Sequence, residues 1–219
     1  MDIKATLWKV WKVVRVVGGV LIVAYVLFII AWIPVEWNRQ ETADRVEKIR
    51  NTKIVLEDAL TKNNLPPEPS EEEANATIEG LDLNLNGIRD DVEWKIFRTH
   101  YDSAKTRAAE LQYAKALQLY LTDVFNEETW KEASRQEDRG YFCINELFDD
   151  RAPDKETATQ GEWNDFFALG DALTNEVEGW VFNTEGRQEK KRKIFEKYIT
   201  TTSSGEEPYC DLVLKYFSN

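Results

Sequence analysis

Twelve consecutive residues, Asp82 to Glu93 (DLNLNGIRDDVE), carry oxygen donors at a spacing that suits a hard divalent cation. Asp82, Asn84 and Asn86 stand at positions 1, 3 and 5, and Gly87 at position 6 allows the sharp turn such a loop needs. Ile88 at position 7 offers its backbone carbonyl, Asp90 at 9 binds directly or through water, and Glu93 at 12 can bind with both oxygens. Calcium takes about six to eight oxygen ligands, and this loop offers a full set. The competing reading is an Asn/Asp/Gly turn that caps a helix beginning near Asp90. Glu93 at position 12 favours the ion: one calcium with a structural role, fixing the preceding linker onto a helical domain.

The segment resembles an EF-hand calcium loop, and is more closely similar to the solitary EF-hand-like loops of dockerins and thrombospondin type 3 repeats in exported proteins. The resemblance covers residues 82–93 and implies Asp82, Asn84, Asn86, Ile88, Asp90 and Glu93 as ligands. The NGxRDDVE stretch is also similar to one in exported bacterial proteins of unassigned role, which implies no activity. Position 8 is Arg89, where paired EF-hands place an aliphatic residue that forms a small sheet with a partner loop. The sequence holds no second such loop, and the candidate entering helix ends at Gly80. These departures point away from a calmodulin-like sensor. Three carboxylates and two neutral amides give an expected Kd of ~10⁻⁴–10⁻³ M, as in extracellular modules.

Other chemistry is sparse, and no catalytic constellation is found. One histidine, His100, excludes any site needing several imidazoles, and two cysteines exclude ordinary structural zinc fingers. His100 lacks a recognisable partner and reads as a surface or satisfied core residue. The acidic group Glu146, Asp149 and Asp150 could form half of a glycosidase pair, but reads more simply as a solvated helix end. Ser103 and Ser203 lack a nucleophile-elbow context. The basic run 187–193 (RQEKKRK) reads as a solvated face. A net charge of −12 and a pI near 4.7 argue against nucleic-acid binding. Cys143 and Cys210 are too far apart in sequence for a CxxC motif and form either a disulfide or two separately buried thiols.

The elements that would position the loop begin with an apolar run. Residues 16–35 contain no charge, and twenty helical residues at ~1.5 Å each span about 30 Å, a bilayer's hydrocarbon thickness. Trp8 and Trp11 precede the run, and Trp32 and Trp37 mark its far end, as expected of an aromatic belt. Lys4, Lys9, Lys12 and Arg15 in residues 1–15 would hold the N-terminus in the cytoplasm. The run exceeds a usual signal core and no small-x-small pattern follows, so a retained anchor is favoured over a cleaved signal. Residues 38–219 would then be periplasmic or extracellular. They hold 24 basic and 38 acidic groups, a net of −14, which disfavours close contact with anionic headgroups.

The exported part reads as all-α. A juxtamembrane stalk helix is expected over 36–64, with Val46, Ile49, Leu56 and Leu60 on one seam and docked on its own domain. A Pro/Glu-rich linker with a short helix over about 71–79, opened by a Ser70/Glu73 capping box, fills 65–80. A helical domain, 81–219, follows. Apolar spacing predicts helices over 103–125, from Asn126 towards Gly140, over 162–182 and over 184–199, with a loop at 149–161. Pro208 opens an expected last helix carrying Cys210. These readings converge on a single-pass, extracytoplasmic calcium-binding protein, a structural or protein-interaction module of the cell envelope that is not an enzyme. The alternative is an envelope hydrolase using paired carboxylates on glycans.

Overall fold

The computed structural model describes residues 3–60, 65–201 and 207–217. No strand occurs among the described residues, and the chain is all-α as its periodicity predicts. It divides into two units, Met1–Asp44 and Arg45–Asn219. Residues 61–64 of the expected stalk and Ser203 lie outside the described residues.

The first unit is carried by α1 (Ile3–Arg50), whose backbone is helical throughout. Lys12 lies over the Trp8 ring at 3.4 Å and Arg15 over Trp11 at 4.5 Å, so each cation meets an aromatic face one turn back. Among the described residues no helix is long and apolar enough to cross a membrane. The described side chains run unbroken only from Val14 to Ile30, and those of Ala31 and residues 33–35 lie outside them. Within that run Val20, Leu21, Ile22 and Phe28 are all more than half exposed.

The second unit is built around α5 (Ala104–Thr122), in which fourteen of nineteen residues are buried. The sequence suggests one apolar face with Arg107, Glu110 and Gln118 off it; the structure buries those three as well, because α5 has neighbours on every side. Around it lie α2 (Leu56–Leu60), α4 (Asp90–Thr99), α6 (Glu127–Asn145), α7 (Gln160–Val181) and α8 (Glu185–Tyr198). The polar side chains on α5 hold irregular backbone in place. Arg107 donates to the carbonyls of Ala59, His100 and Tyr101, Gln118 to Glu79, and Gln112 both donates to Tyr209 O and accepts from Asp211 N. A buried amide or guanidinium that meets backbone partners costs little, whereas the same group unpaired costs about 1–3 kcal/mol.

Several expected boundaries shift, each for a local reason. The stalk helix stops at Arg50, not near residue 64, and α2 begins separately at Leu56. Ile49 and Ile54 both enter the core across this break, and the Ile54 N–H donates to Asp211 at 3.0 Å instead of continuing the helix. The helix expected over 71–79 is only α3 (Glu71–Ala74), opened by the predicted Ser70/Glu73 capping box. It ends because the carbonyls of Ala74, Thr77 and Ile78 turn to the buried Arg187 guanidinium. Gly140 neither ends nor interrupts α6; it lets α6 approach α5, since a Cβ there would meet Tyr113 Cα at 2.9 Å. Part of the expected loop at 149–161 is a 3-10 turn, Glu146–Arg151. The final helix is absent among the described residues: Pro208 follows a cis peptide, and only Leu214–Tyr216 forms a 3-10 turn. Its polar backbone is served by Gln112 and Arg139 from the bundle.

Candidate metal centre

The loop 82–93 is organised by its own side chains. Asp82 accepts from the N–H groups of Asn86 (3.2 Å) and Gly87 (2.9 Å), Asn84 accepts from Asn86 N, and Asn86 Oδ1 accepts from Ile88 N at 2.9 Å. Asp90 accepts from Leu83 N at 3.0 Å, and Asp90 N donates to Leu81 O at 2.9 Å, closing the loop on itself. Gly87 takes φ +87°, which a side chain would oppose, and Leu85 takes φ +56° with its side chain 85% exposed.

Glu93 reaches inward from the first turn of α4. Its side chain is 1% exposed, and its oxygens accept from the Asn86 amide at 2.7 Å and the Asn84 amide at 3.2 Å. Burial pushes its pKa up to about 7, the Asp90 and Asp82 charges add to the rise, and the two amides oppose it. Burial also raises Asp90, with Asp82 and Asp91 contributing. Among the described residues no basic side chain forms a salt bridge with Asp82, Asp90 or Glu93. Lys115, whose stem covers Gly87, directs its ammonium to Lys53 O at 2.6 Å.

The chemistry of this donor set fits a hard cation. Five of the six expected ligand residues carry side-chain oxygens within one hydrogen-bonded loop, and the nearby Lys115 charge acts on Asp82 and Glu93 without forming a salt bridge to either. Helix α4 begins with Arg89 at its N-cap and no side-chain cap, and Glu93, at the third helical position, turns to the loop amides.

Arg89, the departure from paired EF-hands, is fully buried. Its guanidinium forms a bidentate pair with Asp91 at 2.8 Å and donates to Val181 O at 2.7 Å, at the C-terminal end of α7. Arg187 lies beside it, also fully buried, donating to Ala74, Thr77 and Ile78 carbonyls and to the Asn75 and Asn183 side chains. Burial first, then the Arg89 charge, lowers the Arg187 pKa to about 10. Gly80 makes room for both: it takes φ +75°, and a Cβ there would meet Arg89 Cδ at 2.3 Å. The basic run 187–193 is therefore not simply a solvated face. Arg187 is interior, Lys190 donates to Leu121 O, and Lys191 pairs with Glu178 at 2.7 Å.

His100 does have a partner. Its Nε2 lies 3.0 Å from Glu110 Oε1, and Glu176 joins them, with one donor atom from each residue within 4.8 Å of the others. The contact with Glu110 raises the His100 pKa, with burial opposing, while burial raises Glu110 against the pull of His100. These residues lie on α4's end, α5 and α7, so no sequence spacing announces them. The only local signal was a carboxylate one residue before Leu111 on a helix that proves buried.

A cleft of about 890 Å³ is lined by His100, Lys105, Glu146, Asp149, Asp150 and Leu173, among others. Burial raises Glu146. Ser103 caps α5, accepting from Thr106 N. Cys143 and Cys210 stand at disulfide distance, with sulfurs 2.09 Å apart, joining α6 to the C-terminal segment. Comparison with known proteins returns no family model, no curated protein and no solved structure that matches this chain.

Proposed function

We propose that this protein is a single-pass membrane-anchored, extracytoplasmic helical module in which one structural calcium ion fixes the linker to the bundle. The observation that carries the calcium site is Glu93: a buried carboxylate facing the amides of Asn84 and Asn86, near Asp82 and Asp90, with no salt bridge to a basic side chain among the described residues. The ligands are Asp82, Asn84, Asn86, the Ile88 carbonyl, Asp90 and Glu93. Calcium there adds to the partial compensation that Lys115 gives the carboxylates. The Asp82–Asn86 side chains hold the turn, and Arg89 transmits the loop's position to the end of α7.

The anchor rests on the uncharged run at 16–35, its tryptophan flanks and the basic residues before it, with residues 38–219 outside the cytoplasm. The Cys143–Cys210 pair agrees with an oxidising compartment. A protein partner is supported by apolar side chains left exposed in the second unit: Val55, Leu56 and Leu60 in one stretch, and Leu83 and Leu85 on the loop. The cleft favours this reading over glycan hydrolysis. Glu146, Asp149 and Asp150 all come from one 3-10 turn, whereas a glycosidase places its two carboxyls on opposite sides of the scissile bond.

Calorimetric titration of the full chain in detergent micelles tests the proposal, with melting curves in calcium and in chelator. One calcium should bind and raise the Tm, and Asp82→Ala should remove that increment. Equal melting in calcium and chelator at millimolar calcium would refute the site. Protease digestion of intact cells tests topology: residues 38–219 should be cleaved only once the outside face of the membrane is accessible.

A further inference from the structure

The cluster of His100, Glu110 and Glu176 is a second, chemically different place for an ion. Glu110 is 0% exposed, and both of its oxygens are buried without a hydrogen-bond partner. The buried Nε2 of His100 lies 3.0 Å from Glu110 Oε1, an ion pair when the imidazole is protonated, but outside hydrogen-bond geometry. Among the described residues no Lys or Arg pairs with Glu110; neighbouring Arg107 directs its donors to the carbonyls of Ala59, Leu60, His100 and Tyr101. Among the described residues the one cationic group within reach of Glu110 is His100 itself, when protonated. Without hydrogen-bond geometry that contact compensates the buried carboxylate only in part, so a group that supplies more positive charge there is favoured.

We propose that His100, Glu110 and Glu176 bind one divalent first-row transition-metal ion, of the zinc, cobalt or manganese class. One imidazole nitrogen and two carboxylates are the donors that such ions accept, whereas calcium and magnesium select oxygen. Two ionised carboxylates and a neutral imidazole carry two negative charges, which a divalent ion cancels, so the site becomes neutral when filled. The three donors come from the end of α4, the middle of α5 and the solvent side of α7, so the ion ties three elements together. Glu176 is exposed and His100 lines the 890 Å³ cleft, which gives the ion a route in and leaves room for water ligands. The rival occupant is a proton shared between His100 and Glu110.

The test uses the full chain in detergent with calcium at saturating concentration, so that the oxygen loop is not open to the probe. Cobalt(II) is titrated in and its visible d–d absorption followed, and zinc is then added as competitor. One equivalent of cobalt should bind, zinc should displace it, and both His100→Ala and Glu110→Gln should weaken binding by about tenfold or more. Asp82→Ala should leave cobalt binding unchanged, which separates this site from the calcium loop. Circular dichroism melting checks that each variant is folded; if Glu110→Gln is not, His100→Ala, at a partly exposed helix end, decides. Absence of saturable cobalt and zinc binding would overturn the proposal in favour of the shared proton, as would binding that survives His100→Ala or is lost in Asp82→Ala.

Discussion

Glu93 concentrates the electrostatics of the loop in one carboxyl. Its folded pKa of about 7 stands above the ordinary value of 4.5, so protonation favours the folded state. That contribution is fully present below about pH 4.5 and is lost as pH rises through about 7. At pH 8 without metal, the ionised carboxylate then costs the fold about 3 kcal/mol. Glu93→Gln should therefore melt higher than the parent in chelator at pH 8, with little difference at pH 4, while losing the calcium-dependent rise. A lower Tm for the variant in chelator at pH 8 would mean that the carboxylate is already compensated. The same titration sets calcium affinity, which should fall as pH drops below about 7 because the ligand must give up its proton.

Among the elements, the linker 74–80 has almost no regular structure and no apolar core of its own. Arg187, in the first turn of α8, replaces the hydrogen bonds a helix would have provided, donating to three backbone carbonyls and two Asn side chains. Arg89 does the same for the end of α7, so two buried guanidiniums join the loop, the linker and both C-terminal helices. Arg187→Met should cost about 3–5 kcal/mol, because it strands several buried carbonyls at once. Arg187→Lys should not rescue it, since a single ammonium cannot reproduce the planar fork of donors. Urea unfolding reads this directly, and a loss below about 1 kcal/mol would show that water can serve the carbonyls equally well.

For the molecule as a whole, the Cys143–Cys210 bond closes 67 positions of sequence and is the covalent tie on a C-terminal segment that has little helix. In the loop-entropy model such a closure stabilises by about 4 kcal/mol. Reduction should lower the Tm clearly and expose residues 207–217 to proteolysis before the bundle; an unchanged Tm in reductant would show that Gln112 and Arg139 hold the segment without it. The net charge of −12 adds self-repulsion to this picture.

The amino-acid pattern alone determined the helical class and the N-caps at Ser70 and Asn126, because each depends on residues within about one or two turns of one another, and it offered the spacing of the 82–93 loop on which the calcium proposal rests. It also identified the two cysteines, but left open whether they pair. Tertiary structure decided what depends on distant contacts. It ended the stalk at Arg50, where Ile54 could bond Asp211, and it cut the short linker helix at Ala74, where carbonyls found Arg187. It took Arg187, the first residue of a basic run, from the surface into an interior clamp while Arg192 and Lys193 stayed exposed, and it brought His100, Glu110 and Glu176 together from three helices. Local spacing reports which side chains share a helix face; only packing settles which of those faces loses its water, and a charge that loses its water must find a partner or an ion.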